Sequence, residues 1–215
     1  MKIGVFDSGI GGLSVANAIK KALPDLEVVL REDKENVPYG TKSPELLLTL
    51  VTPILQELVE QGCQVIVIAC NTVTTTIIGQ IRQKFNIPFV AIEPMLKPAS
   101  EITKTGVVAV CATPTTISSP RYRWLKDTYL SGKTVLEPDC SDWSYLIENN
   151  KIDQMKIDER INEVLQKNAD VIVLGCTHYH WIEQEIKELS KDKAIVLQPE
   201  QAIIEQLKRV IAQLV

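Results

Sequence analysis

Val65-Ile66-Val67-Ile68-Ala69-Cys70-Asn71-Thr72 and Val171-Ile172-Val173-Leu174-Gly175-Cys176-Thr177-His178 decide how this chain folds. Each is an apolar, mostly β-branched run that ends in a cysteine and small hydroxyl or amide residues. Each is followed by a helix-like stretch. Continuous Val/Ile runs mark strands covered on both faces, and hence parallel sheets with right-handed crossovers. An open α/β sheet places its ligand chemistry at the carboxyl ends of such strands.

Outward from these two runs, further strands are expected at 2–6, 27–31, 88–92, 106–111, 134–137 and 194–197. Helices are expected between them near 12–23, 44–61, 73–85, 94–102, 120–130, 142–148, 153–168, 181–190 and 200–214. The fold class is therefore α/β. A boundary falls near Ile92-Glu93-Pro94, with about four strands on each side. The last helix has no strand after it and is expected to pack back on the first half. That predicts a discontinuous N-terminal lobe, 1–92 plus 199–215, and a second lobe, 93–198. Two such lobes enclose a cleft, a preferred place for a small-molecule site.

The 215 residues are 45% hydrophobic and 23% charged, ordinary for a globular protein with a sizeable core. A net charge of −4 argues against a broad nucleic-acid footprint. No stretch reaches the length of a membrane span, and the N-terminus meets Asp7 too soon for a secretory signal. A cytoplasmic protein is expected. Five cysteines, an odd number, do not suggest a disulfide framework. Cys63, Cys111 and Cys140 read as small buried hydrophobes or loop residues.

The first strand runs into Phe6-Asp7-Ser8-Gly9-Ile10-Gly11-Gly12. These glycines suit a tight strand-to-helix turn whose N–H groups approach an anion. The segment lacks the lysine of a P-loop and the full dinucleotide fingerprint. Asp7 reads either as a functional carboxylate at a strand end or as a helix cap. Val37-Pro38-Tyr39-Gly40-Thr41 is a turn that would line the same rim. Cys70 begins a helix whose dipole favours a thiolate, although a buried capping cysteine fits the same segment. Cys176 has an imidazole two residues away, His178, the usual partner for moving protons at a thiol. Both histidines of the chain, His178 and His180, lie beside it. Zinc is the competing use of Cys and His, but the paired ligand spacings are missing and no metal is expected. The hydroxyls at Thr113, Thr115, Thr116, Ser118 and Ser119 either orient a ligand or cap the next helix. Two thiols facing one carbon from opposite sides point to a racemase or epimerase.

Five blocks taken together closely resemble the glutamate racemases of the cofactor-independent aspartate/glutamate racemase superfamily. They are Gly4–Ser14, Val37–Ser43, Ile68–Thr72, Ala112–Ile117 and Leu174–Tyr179, in the family's order and across nearly the whole chain. The resemblance implies two similar α/β lobes with the active site in the cleft between them. It implies interconversion of L- and D-glutamate for peptidoglycan, without pyridoxal phosphate, other cofactor or metal, and commonly a homodimer. It assigns Cys70 and Cys176 as the two proton-transferring thiols, Asp7 as the group assisting the first and His178 the second. Glu148 matches a carboxylate near that histidine. Ser8, Pro38, Tyr39, Gly40, Asn71, Thr72, Thr113, Thr116 and Thr177 match substrate-holding positions.

The chain departs from the family in three places. Glu32-Asp33-Lys34-Glu35-Asn36 replaces a segment with small residues and an arginine, and His180 stands where a proline normally follows Cys-Thr-His-Tyr. Family members also generally carry more chain beyond the region of Gln201. These changes leave open a racemase of aspartate or another amino acid, or an idle relative that binds an amino acid or a protein.

Overall fold

The computed structural model describes residues 1–214, so Val215, at the end of the expected first lobe, lies outside them. Eight strands form two four-stranded parallel sheets. In the first, β1 (Lys2–Asp7), β2 (Glu27–Glu32), β3 (Val65–Ile68) and β4 (Phe89–Ala91) lie in the order β2-β1-β3-β4. In the second, β5 (Val107–Cys111), β6 (Thr134–Leu136), β7 (Val171–Leu174) and β8 (Ile195–Leu197) repeat that order as β6-β5-β7-β8.

Alternation along β3 explains why it must be covered twice. Ile66 and Ile68 pack into one cluster with Leu47, Val51, Leu55, Ile77 and Ile81, while Val65 and Val67 pack on the other face with Val15, Ile19, Ile203 and Leu207. The first face is covered by α2 (Pro44–Glu60) and α3 (Asn71–Lys84), the second by α1 (Gly11–Ala22) and α10 (Glu200–Ala212), the last of ten α-helices among the described residues. In the second sheet, Val171 and Val173 point toward α4 (Leu96–Ile102) and α6 (Pro120–Tyr129), reached through a short α5 (Pro114–Ser118). Ile172 and Leu174 point toward α7 (Trp143–Glu148), α8 (Gln154–Gln166) and α9 (Glu183–Leu189). Each fully buried Val or Ile contributes about 1.5–3 kcal/mol, so the two strands that position the cysteines are also the best anchored. Among the described residues no helix is long and apolar enough to cross a membrane.

All eight expected strands are present, with ends that differ by a residue. Among the helical differences from expectation, α4 starts at Leu96 rather than 94 and α8 ends at Gln166 rather than 168, and three further details have a local cause. The five-residue α5 is too short for a periodic signal; Thr113 caps it by accepting from Thr116 N–H, and Pro114 starts it. The helix after Cys70 starts two residues early, because the threonine run satisfies itself. Thr75 and Thr76 donate to the carbonyls of Asn71 and Thr72 at 2.8 and 2.5 Å, and Thr74 donates to Ile92 O. The helix expected from 181 starts at Glu183, because Thr177–Ile182 forms a 3₁₀ segment.

Candidate active site

β1 and β3, and likewise β5 and β7, are the central neighbours in their sheets. Each pair is where the strand order reverses, so their carboxyl ends open on a crevice. From these ends, and from the Tyr39–Thr41 turn, come the residues around one small cavity. It is lined by Ser8, Val37, Pro38, Tyr39, Gly40, Cys70, Asn71, Thr72, Thr113, Ser144, Cys176, Thr177 and His178. Both expected thiols border it, and its volume is about 10 Å³, room for roughly one water.

Around Cys70 the geometry is a relay. The thiol donates to Ser8 Oγ at 3.5 Å, and the Ser8 hydroxyl donates to Asp7 Oδ1 at 3.4 Å. Asp7 is fully buried and does not cap a helix. It accepts from Gly9 N–H at 3.0 Å and from the Thr177 hydroxyl of the other lobe at 2.8 Å. Burial raises the Asp7 pKa against the opposing pull of His178, Gly9 and Thr177. Burial, and then the negative charge of Asp7, push the Cys70 thiol up to about 12.

Around Cys176 the geometry is a charge pair. His178 Nδ1 lies 3.7 Å from Cys176 Sγ, and Nε2 donates to Glu148 Oε2 at 2.7 Å. The same carboxylate oxygen accepts from Ile10 N–H of the first lobe at 2.9 Å. Only glycine fits at position 9, where a Cβ would overlap the Glu148 carboxylate and crowd His178. Burial disfavours the imidazolium, but the hydrogen bonds to Cys176 and Glu148 outweigh it and push His178 up to about 10. Burial also opposes the Glu148 charge, and the bonds from His178 and Ile10 more than offset it, lowering its pKa.

The expected residues divide by depth. Asp7, Glu148 and Thr116 stand behind the cavity wall, reached through Ser8, His178 and Thr113. Thr72 Oγ1 meets Thr113 Oγ1 at 3.0 Å and Thr116 Oγ1 at 3.4 Å, joining the lobes. Asn71 is buried with neither amide atom partnered. A buried donor and acceptor left idle are costly, and an amino acid with its carboxylates and ammonium would satisfy both. Val37 lines the cavity with the rest of its turn, and Ser144 lines it without having been expected. Nothing local marks Ser144; only the fold of α7 under Cys176 brings it there.

Comparison with known proteins agrees with this geometry. The model of the Asp/Glu/Hydantoin racemase family matches residues 3–207. A glutamate racemase of Pseudomonas syringae pv. tomato is 35% identical over 220 residues, covering 98% of this chain and 78% of its own. The crystal structure of Escherichia coli glutamate racemase, in complex with L-glutamate and the activator UDP-MurNAc-Ala, superposes with a TM-score of 0.91 at 28% identity, covering 98% of this chain and 82% of that one. The Francisella tularensis glutamate racemase in complex with D-glutamate gives 0.81 at 26% identity, covering 99% and 81%. Two thiols at matching strand ends, one fold and one family model over nearly the full length lead to a single assignment: the chain belongs to the Asp/Glu/hydantoin racemase family.

Proposed function

We propose that this protein interconverts L- and D-glutamate by proton transfer at Cα between Cys70 and Cys176, supplying D-glutamate for peptidoglycan. The observation that carries the reading is the pair of cysteines at equivalent strand ends bordering one cavity, each with its own proton-handling neighbours. The related enzymes from E. coli and F. tularensis, crystallised with L- and D-glutamate, support the choice of substrate.

The two neighbourhoods are suited to opposite starting states. At neutral pH the His178 cation turns Nδ1–H toward the Cys176 sulfur, and on that geometry Cys176 takes the part of the base. Cys70, pushed up to about 12, holds its proton and serves as the acid. One sulfur takes the Cα proton from one side while the other returns a proton from the opposite side. In the reverse direction the roles exchange: Cys70 passes its proton through Ser8 to Asp7, and Cys176 takes one from His178. Donors on Asn71, Thr72, Thr113 and Thr177, with Thr116 supporting Thr113 from behind and Pro38, Tyr39 and Gly40 shaping the wall, hold the carboxylates. Fixed donors around them also stabilise the carbanionic transition state. The cavity is narrow and walled by both lobes, so the lobes are expected to part for binding and close for chemistry.

The remaining assignments follow the family resemblance. The lobes are 1–92 plus 199–215 and 93–198, with Ile203 and Leu207 of α10 packed on the first sheet in support. The protein works in the cytoplasm as a homodimer, on a free amino acid.

The test is an assay in deuterated water with L-Glu, D-Glu, L-Asp and D-Asp. Racemisation of glutamate with one solvent deuteron in the product supports the reading. Turnover of aspartate alone overturns the substrate, and binding of glutamate without exchange overturns the activity.

A further inference from the structure

The 3₁₀ segment Thr177–Ile182, which carries His178 and follows Cys176, lies across the N-terminus of α1. A Cβ at Gly11 would come within 2.6 Å of the Thr177 backbone, so the two chains touch at van der Waals distance. Trp181 Nε1–H donates to Ile10 O at 3.2 Å. Between these contacts His180 is inserted, its side chain 2% exposed. Ser14 Oγ donates to Gly11 O at 3.0 Å and presents its lone pairs to His180 Nδ1, also at 3.0 Å. Nδ1 is thereby assigned the proton. Glu200 Oε1, in the first turn of α10, lies 3.6 Å from the same nitrogen. Burial works against the Glu200 charge, yet the neighbouring His180 and Ser14 hold it below the usual carboxylate range.

His180 Nε2 is buried and has no hydrogen-bond partner among the described residues. A buried ring nitrogen without a partner opposes folding, so an apolar side chain would serve a purely structural seam better. The imidazole instead ties the segment to two elements of the first lobe at once. It does so two residues from the imidazole that faces Cys176.

We propose that His180 is a positioning residue for proton transfer at Cys176, its Nδ1–H anchoring the Cys176-Thr177-His178 segment to Ser14 and Glu200 so that His178 and the sulfur keep their geometry. The inference rests on the two-cysteine reading and adds to it a residue outside the cavity wall.

The reaction itself supplies a readout that a structural role would not move. L- and D-glutamate have equal free energy in water, so kcat/KM must fall equally in both directions for any variant. The primary isotope effect of Cα-deuterated substrate is not so bound. Loss of an anchor on the Cys176 side slows the proton transfers at Cys176 and leaves those at Cys70 intact. We expect His180→Ala to lower kcat about tenfold or more with KM changed less than about threefold, and to change the isotope effect unequally for the two enantiomers. His180→Asn places an amide N–H where Nδ1–H stood and should recover to within about threefold of the parent. Should His180→Ala fail to fold, Glu200→Gln takes its place and must produce the same inequality. Isotope effects as balanced as in the parent, or His180→Asn no better than His180→Ala, overturn the inference. If the unmutated protein racemises nothing, the two-cysteine reading has failed, and iodoacetamide labelling decides the inference alone. The ratio of Cys176 to Cys70 alkylation must then change about threefold or more in His180→Ala and return in His180→Asn, or the anchor does not exist.

Discussion

The two lobes are one arrangement of strands used twice, and their registers align the two halves of the site residue by residue. Phe6 pairs with Ile68, two before Cys70, and Cys111 pairs with Leu174, two before Cys176. Ala69 N–H donates to Phe6 O, and Gly175 N–H to Cys111 O, at equivalent points. Cys70 therefore matches Cys176, Ser8 matches Thr113, Asn71 matches Thr177 and Thr72 matches His178. Asp7 matches Ala112, so the second lobe has no carboxylate at its strand end. Glu148 supplies one from a helix instead. The equivalence stops at the chemistry. One thiol is served by a hydroxyl and a buried carboxyl with a raised pKa, the other by an imidazolium and a carboxylate with a lowered one. Each carboxylate is also held by the opposite lobe, Asp7 by Thr177 and Glu148 by Ile10 N–H. Neither half is complete without a donor from the other lobe.

The sharpest way to break this comparison is to remove one thiol at a time. Cys70→Ala and Cys176→Ala should each lower racemisation by about 10³-fold or more, because each leaves one side of Cα without its acid or base. A single variant that keeps full turnover would reduce the pair to one working cysteine.

The assisting groups come next in size and should differ in kind. Glu148→Gln removes the carboxylate that helps push His178 up to about 10, so the imidazolium is lost at lower pH. The variant should lose about 10- to 100-fold in kcat, with the basic limb of its pH profile moved toward neutrality. Ser8→Ala interrupts the route from Cys70 to Asp7 and should slow turnover about tenfold with that limb in place. Equal pH profiles for the two variants would erase the distinction between the halves.

Much of this was legible in the sequence because the central strands are buried on both faces and leave uninterrupted apolar runs. Cys70 and Cys176 were found as the residues that end those runs, and Asp7 in the same way at β1. What lay outside reach depended on distant parts of the chain meeting. Ser144 carries no local signal, and Glu148 rested on resemblance alone, since its partners His178 and Ile10 are 30 and 138 residues away. The short α5 escaped because five residues hold barely more than one helical turn. The seam at His180 was visible as an unusual residue, but its bond to Ser14 spans 166 residues and exists only in the fold.

The smallest expected effect concerns stability, and here the carboxylates of the two lobes should differ in sign. Burial raises the Asp7 pKa above its ordinary value of 3.8, so the folded protein favours the protonated form. That preference contributes stability fully present below the unfolded pKa and lost as pH rises through the folded one. At neutral pH the Asp7 charge is thus a liability kept for function, and Asp7→Asn should gain about 1 kcal/mol, or roughly 2–4 °C in Tm, while losing activity. The gain should shrink as pH falls, because acid protonates Asp7 in the parent. Glu148 has a lowered pKa, so its charge stabilises the fold above its unfolded pKa. Glu148→Gln should therefore lower Tm at neutral pH, and the deficit should close as acid removes the charge in the parent. Thermal melts of both variants between about pH 3 and 7.5, which reach below the ordinary carboxyl range for Glu148 and above it for Asp7, check the two signs together. A destabilised Asp7→Asn at neutral pH would mean that the bonds from Gly9 and Thr177 outweigh burial at Asp7, and that both lobes hold their carboxylates in the same way.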